Sequence, residues 1–342
     1  MQMREDLGII TKMENGKAYL EFALPENRGR LLSALRIEIW EEAEGGRLVF
    51  HGEYVPEEAD SMTALLLRPH LWNGMRDPYV YRVKAHGRFG AAEHGKKGGV
   101  TAEEETADAA VIDEVTEVYW QQELAIYDVR VIDKKGIFLN EKEFLPHEAA
   151  YRLPPQISDA GTQEEQMKKD LERLARMGVN AIRLEGEGTG TEGQSRESRS
   201  VREFYRLCRK RGFLTGDLWI RPQNLPVYRG LPGETSKEAL LSADGRTLTE
   251  RYYYYQAKWS NEPVLYPALS TLRRQENGQA SLTIYSNQKK VVLYVEGVLF
   301  LFQSAHPGDP EYIFEDIPVA KLPLQLAAEA GNLSISLTVT KI

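Results

Sequence analysis

One cysteine in 342 residues, Cys208, removes two possibilities at once. A disulfide framework needs pairs of cysteines, and a cysteine zinc cluster needs more than one. A basic surplus is also missing: 43 Lys and Arg stand against 51 Asp and Glu, for a net charge of −8. Phosphate contacts draw on Lys and Arg, so neither a nucleic-acid partner nor an anionic membrane partner is expected. No apolar run approaches the roughly 20 residues that span a bilayer. The opening residues MQMREDLGII lack the basic-then-apolar layout of a secretory leader, which makes a cytoplasmic location the expectation. The six histidines, His51, His70, His86, His94, His147 and His306, show no metal-ligand spacing, so neither metal nor cofactor is expected. From Ala91 to Ala110 apolar bulk is almost absent, and a long mobile loop is expected there.

What is present is organised around Gln166–Leu184, QMKKDLERLARMGVNAIRL. Met167, Leu171, Leu174 and Ala175 share one helical face, while Lys168, Lys169, Glu172, Arg173 and Arg176 fall elsewhere. Thr162 and Glu165 have capping-box spacing, and Gly178 sits where a helix stop belongs. Ala181–Leu184 then reads as a buried parallel strand, giving one unit of an α/β barrel or doubly wound sheet. A second helix follows, with Val201, Phe204, Tyr205 and Cys208 on one face, Ser200 and Glu203 as its capping box, and Gly212 as its stop. Cys208 is therefore expected in a core, since no activating partner is visible.

The flanks read as β structure. Lys17–Phe22, Leu35–Trp40, Arg47–Phe50 and Tyr79–Val83 are short strands, several of them alternating, spaced as in a β-sandwich. Ala280–Asn287, Val291–Gly297 and Leu333–Val339 repeat this character at the other end.

One phrase in the first β region is specific. Arg68-Pro69-His70-Leu71-Trp72-Asn73-Gly74, followed by Asp77-Pro78-Tyr79-Val80-Tyr81, resembles the P-x-L-W-N … D-P-Y-L-Y phrase of glycoside hydrolase family 2. That family includes β-galactosidases and β-glucuronidases. Trp72 and Tyr79 are expected as structural anchors, with Pro69 and Pro78 fixing strand starts. Gly136-Ile137-Phe138-Leu139-Asn140 resembles the approach to the family's barrel, with Glu141 in place of a glycine. Leu145–Arg152 replaces the family's Arg-Gly-x-Asn-x-His phrase. Asp170–Leu184 resembles its second barrel unit, but Glu185-Gly186-Glu187-Gly188 stands where the family has Ser-His. Phe213–Trp219 resembles the third strand. Arg251–Pro263 resembles the last barrel helix and its exit, and residues 264–342 resemble the C-terminal immunoglobulin-like module.

The resemblance implies three segments. These are an immunoglobulin-like β-sandwich at 1–133, a partial (β/α) barrel remnant at 134–262, and a second immunoglobulin-like β-sandwich at 263–342. A full barrel takes about 250 residues. Here Trp219 and Glu250 are joined by a Pro- and Gly-rich stretch that reads as loop, so strands four to seven are expected to be missing. The family's N-terminal jelly-roll is expected to be missing too. A retaining glycosidase needs two carboxylates about 5 Å apart, and in the family both lie on the missing strands. No catalytic residue carries over. The implied role is non-catalytic, in carbohydrate binding or assembly.

Two other readings use the middle. Glu185, Glu187 and Asp217 fall at C-terminal ends of expected parallel strands, where barrel active sites form, and two of them would serve as a rebuilt acid/base pair in an active β-glycosidase. Asp217, Trp219 and Arg183 are the candidate sugar-binding residues, with Trp219 as a stacking platform or a core residue. Gly188–Gly193 matches G-x-G-x-x-G ahead of a helix, with Asp217 beyond it. The helix starts too late to hold a pyrophosphate, and Glu185, Glu187 and Glu192 repel phosphate, so a surface loop is expected instead. Three parallel strands cannot close, and their edges need cover. A homo-oligomer or partner subunit over the open barrel is therefore expected, with carbohydrate as the small-molecule ligand.

Overall fold

The structure, a computed structural model, describes residues 7–23, 30–41, 46–56, 61–91, 115–154, 160–185, 199–215, 226–229, 239–242 and 247–342. The chain divides into two compact units, 1–144 and 145–342.

Strand alternation builds the first unit. It contains β1 (Ile9–Glu14), β2 (Lys17–Phe22), β3 (Arg30–Trp40), β4 (Leu48–Tyr54), β5 (Met62–Leu67), β6 (Tyr81–Ala91) and β7 (Thr116–Leu124). They form two antiparallel sheets ordered β1-β2-β5 and β4-β3-β6-β7. Leu20 and Phe22 of one sheet pack with Leu35, Ile37, Val83 and Trp120 of the other in a single core, as in an immunoglobulin-like sandwich. A small antiparallel meander follows: β8 (Val129–Ile132), β9 (Gly136–Leu139) and β10 (Lys142–Phe144).

The Leu-Trp-Asn phrase acts as the structural anchor expected of it. Trp72 is buried, its N–H donates to the Ile126 carbonyl at 2.9 Å, and its ring lies 5.0 Å from Tyr127. Asn140 ties the meander to this point by donating to the Trp72 carbonyl (2.9 Å) and the Asn73 side chain (2.8 Å). Glu141 has a left-handed backbone (φ 66°).

The second unit begins with β11 (Glu148–Arg152), α1 (Ala160–Met177), β12 (Ala181–Glu185), α2 (Arg199–Arg211) and β13 (Leu214–Thr215). The stretch after β13, read from the sequence as loop, contains two more strands: β14 (Val227–Arg229) and β15 (Ala239–Leu241). Where the sequence reading expected three parallel strands, the structure has a five-stranded parallel sheet, ordered β13-β12-β11-β14-β15. Strands this short, set among prolines and glycines, leave no period-2 signal to read. The helix α3 (Glu250–Trp259) follows.

All three helices feed one core with the sheet. Met167, Leu171 and Leu174 of α1, Phe204 and Cys208 of α2, and Tyr252 of α3 pack with Tyr151, Ile182, Leu184, Tyr228 and Leu240. Burial pushes the Cys208 thiol well above its ordinary value, as suits a core residue rather than a nucleophile. Both helices preceding a glycine stop there, with Gly178 at φ 91° and Gly212 at φ 82°. The expected cap residues do not stand at the helix starts. Each helix starts before its expected cap, so Thr162 and Ser200 lie inside α1 and α2. Ser200 donates instead to Gln163 at 2.8 Å, and Glu203 receives Arg206 at 2.9 Å.

The link from helix to sheet runs through Asp170, which is fully buried. Tyr151 donates to it at 3.0 Å from β11, Tyr228 at 2.8 Å from β14, and Gln166 at 2.8 Å from within α1. Arg173 lies 3.8 Å away. Burial, and then the nearby Asp170 charge, push the Tyr228 phenol well above its ordinary value, so it stays a donor.

A second sandwich closes the unit: β16 (Leu265–Arg274), β17 (Ala280–Ser286), β18 (Lys290–Val295), β19 (Val298–Ser304), β20 (Glu311–Ile317), β21 (Leu324–Ala330) and β22 (Leu333–Val339). Its sheets run β16-β17-β20 and β19-β18-β21-β22, the connectivity of the first sandwich repeated strand for strand.

Two stability predictions follow from this packing. A Cβ on Gly178 would stand 2.5 Å from the Trp259 backbone, whereas one on Gly297 (φ 78°) meets open space. Gly297→Ala should cost about 1–2 kcal/mol for its left-handed backbone, and Gly178→Ala distinctly more, by urea unfolding. Tyr228→Phe should cost about 1–3 kcal/mol, because a buried carboxylate loses a donor. A midpoint unchanged from the parent would remove Asp170 from its proposed bracing role.

Candidate functional site

Period-2 alternation sorts the parallel strands into two faces. Ala149 and Tyr151 of β11, with Ile182 and Leu184 of β12, belong to the helix-packed core. Glu148, Ala150 and Arg152, with Ala181, Arg183 and Glu185, therefore project from the opposite face. The register pairs Glu148 with Ala181, Ala150 with Arg183, and Arg152 with Glu185. Opposite charges then meet both along the diagonal and directly across. Arg183 Nε donates to Glu148 Oε1 at 2.9 Å. Arg152 Nη2 lies 3.3 Å from Glu185 Oε2.

These two ion pairs differ in setting. The Glu148 and Arg183 side chains are 4% and 13% exposed. Their desolvation cost is of the same order as their attraction, so the pair fixes geometry more than it adds stability. Among the described residues, Arg183 Nη2 is buried with no hydrogen-bond partner. Arg152 and Glu185 are 29% and 36% exposed, and solvent limits such a pair to about 0–1 kcal/mol.

Sequence reasoning singled out Arg183 and Glu185 here, and the structure brings both onto this one face. Glu187, Asp217, Trp219 and the Gly188–Gly193 motif lie outside the described residues, as does the Ala91–Ala110 stretch after Ala91. Glu148 and Arg152 were missed. The available signal was the strand pair itself: E-A-A-Y-R beside A-I-R-L-E puts complementary charges in register.

The chemistry open to the described carboxylates follows from their spacing. Glu148 and Glu185 stand on adjacent strands four register positions apart, or about 13 Å at 3.3 Å per residue. A retaining pair needs about 5 Å and an inverting pair about 6.5–9.5 Å. Those are carboxyl-to-carboxyl distances; here the backbones are about 13 Å apart along the strands, and each carboxylate is turned to an arginine. His147, at the opposite strand end, stacks 5.2 Å from Trp259, and its Nδ1 lies 3.0 Å from the Gly178 carbonyl. Among the described residues no group of three or more His, Cys, Asp or Glu is placed to hold a metal ion.

No family model and no curated protein matches this sequence. Solved structures do. An FMN-binding β-glucuronidase from F. prausnitzii L2-6 aligns over 98% of this chain and 73% of its own, with a TM-score of 0.64 and 13% identity. A putative β-galactosidase from Bacteroides fragilis aligns over 97% and 72%, at 0.59 and 14%. A Parabacteroides merdae β-glucuronidase aligns over 98% and 63%, at 0.63 and 10%. The fold is glycoside hydrolase family 2-like. At such identity the likeness concerns the fold alone, and function rests on the site. Among the described residues no helix is long and apolar enough to cross a membrane.

Arg183 serves here as the counter-charge of a buried carboxylate. Arg183→Met should cost about 3–5 kcal/mol, because a buried carboxylate, Glu148, loses the guanidinium bonded to it. Pairing it with Glu148→Leu should restore much of that loss. An arginine that served only an incoming ligand would leave the unfolding midpoint unmoved in both variants.

Proposed function

We propose that this chain is a non-catalytic, glycoside hydrolase family 2-like protein that binds carbohydrate on the charged face of its parallel sheet. In this reading residues 134–262 are a barrel shortened between β13 and α3, flanked by sandwiches at 1–133 and 263–342. The segments that bear the family's two catalytic glutamates are the ones lost. One observation carries the reading: both described carboxylates on the face are held by arginines, on backbone positions about 13 Å apart along the strands, rather than turned toward each other as a hydrolytic pair. The same charged groups suit the hydroxyls of a sugar, with Arg183, Asp217 and Trp219 as candidate contacts.

Assembly is the second reading, and the sheet edge at β13, which has no strand neighbour among the described residues, favours it, whereas the β15 edge is bridged by Leu248. A third keeps an enzyme, with Glu185, Glu187 and Asp217 at strand ends supplying a rebuilt pair.

Two measurements separate the readings. No turnover is expected on a panel of aryl β-glycosides at high protein concentration, for the parent or for Glu185→Gln, Glu187→Gln and Asp217→Asn. Parent turnover that disappears in one variant would establish a rebuilt active site. A binding sugar should raise the melting temperature, since at a hundred times its Kd it adds about 2.7 kcal/mol to the folded state. A flat response across the sugar panel favours assembly.

A further inference from the structure

The second sandwich carries a surface remote from the charged sheet face. Its strand β19 ends the sheet β19-β18-β21-β22, so one side of its backbone has no strand neighbour among the described residues. Natural edges of this kind usually carry charges or proline. Here Val298-Leu299-Phe300-Leu301-Phe302-Gln303-Ser304 has neither. Val298, Leu299, Leu301 and Phe302, with Ile313 of the adjoining edge strand β20, are 42–69% exposed. An apolar cavity of about 280 Å³, lined by Val298, Leu299, Phe300, Pro318 and Leu324 among others, adjoins the same strand.

We propose that β19 is a self-association edge: two copies of this chain pair antiparallel along it about a two-fold axis. The strand's own chemistry selects a second copy. The strand itself carries no charge, and a partner carrying charges would have to desolvate them without compensation. The neighbouring cation, Lys290, already lies over the Phe302 ring at 4.1 Å. A copy of itself opposes apolar to apolar at the centre of the strand, with Val298 meeting Gln303 toward its ends.

A bulge sets the register. Leu293 pairs with Leu301 and Tyr294 with Leu299, which leaves Phe300 without a counterpart on β18. Leu299 and Phe302 consequently share a face of the sheet, although they are three residues apart. A two-fold axis between Phe300 and Leu301 sets Leu299 of one copy opposite Phe302 of the other, with matching faces. It also brings Leu301 of the second copy opposite Phe300, at the rim of the cavity. The contact is isologous and closes on itself.

Area sets its strength. The five exposed side chains leave roughly 300 Å² of apolar surface per copy, at about 100 Å² for a whole side chain of this size. Two copies give roughly 600 Å², which at about 60% apolar character makes an interface near 1,000 Å². That is the lower limit for a specific contact, so a reversible dimer of micromolar affinity is expected.

Sedimentation velocity on the whole chain from about 1 to 200 µM spans that range. The expected result is a monomer–dimer equilibrium that Phe302→Asp weakens by at least about tenfold. Leu67→Asp, at an exposed position on the first sandwich, should leave it unchanged. Both positions are on the surface, and an unchanged melting temperature checks folding. The double variant Leu299→Cys with Phe302→Cys tests the register, since directly opposed residues across strands approach disulfide distance. It should give a covalent dimer under oxidation, without interference from the buried Cys208. A monomer at every concentration, a dimer indifferent to Phe302→Asp, or no cross-linking in the double variant would overturn the proposal. A lone monomer would leave the edge to a different protein.

Discussion

A carboxylate sealed from water holds the middle of this chain together. Asp170 is fully buried on α1 and is reached by hydroxyls from two neighbouring strands, β11 and β14. Leaving such a group unsatisfied is costly, so helix and strands must meet in one arrangement. The requirement matters most for β14. That strand pairs with β11 at a single register position, Ala150 with Val227, which is little to define a strand. Tyr228 compensates by entering the core and bonding Asp170. Without it, nothing in the local sequence would favour adding a second half to the sheet.

The same asymmetry runs through the whole middle layer. One face of the sheet is apolar and covered by three helices, while the other carries paired charges. A closed barrel would turn the charged face inward and surround it. In this five-stranded sheet Arg183 bonds Glu148 and Arg152 pairs with Glu185, along a single strand pair. The sandwiches show no comparable departure: two modules with the same strand order carry ordinary alternating cores.

Legibility in the sequence followed length and periodicity. The apolar stripe of α1, the glycine stops at Gly178 and Gly212, the core position of Cys208 and the anchoring of Trp72 were all readable. Each rests on a pattern confined to a few neighbouring residues. What escaped was non-local. β14 and β15 are three residues each; β14 rests on contacts with β11 and Asp170, and β15 on β14 and Leu248, so their local sequence reads as loop. The capping boxes had correct spacing but sat two to three residues inside the helices, because the helices begin earlier than side-chain chemistry suggests. At the site, Arg183 and Glu185 were visible as polar residues at a strand end. Their arginine and glutamate partners were not, since ion pairing across strands depends on register.

Cys208 gives the middle layer a chemical property that neither sandwich has. It is the only thiol in the chain, and it is buried against the helix-packed face of the sheet. An alkylating reagent can therefore mark the chain at one atom, and only when that layer opens. When opening and closing are fast relative to the reagent, the labelling rate measures the free energy of that local opening. Cys208 and the second sandwich belong to one compact unit, 145–342, whereas the first sandwich belongs to the other. The chain thus carries an intrinsic reporter of opening in the unit that holds its least regular layer.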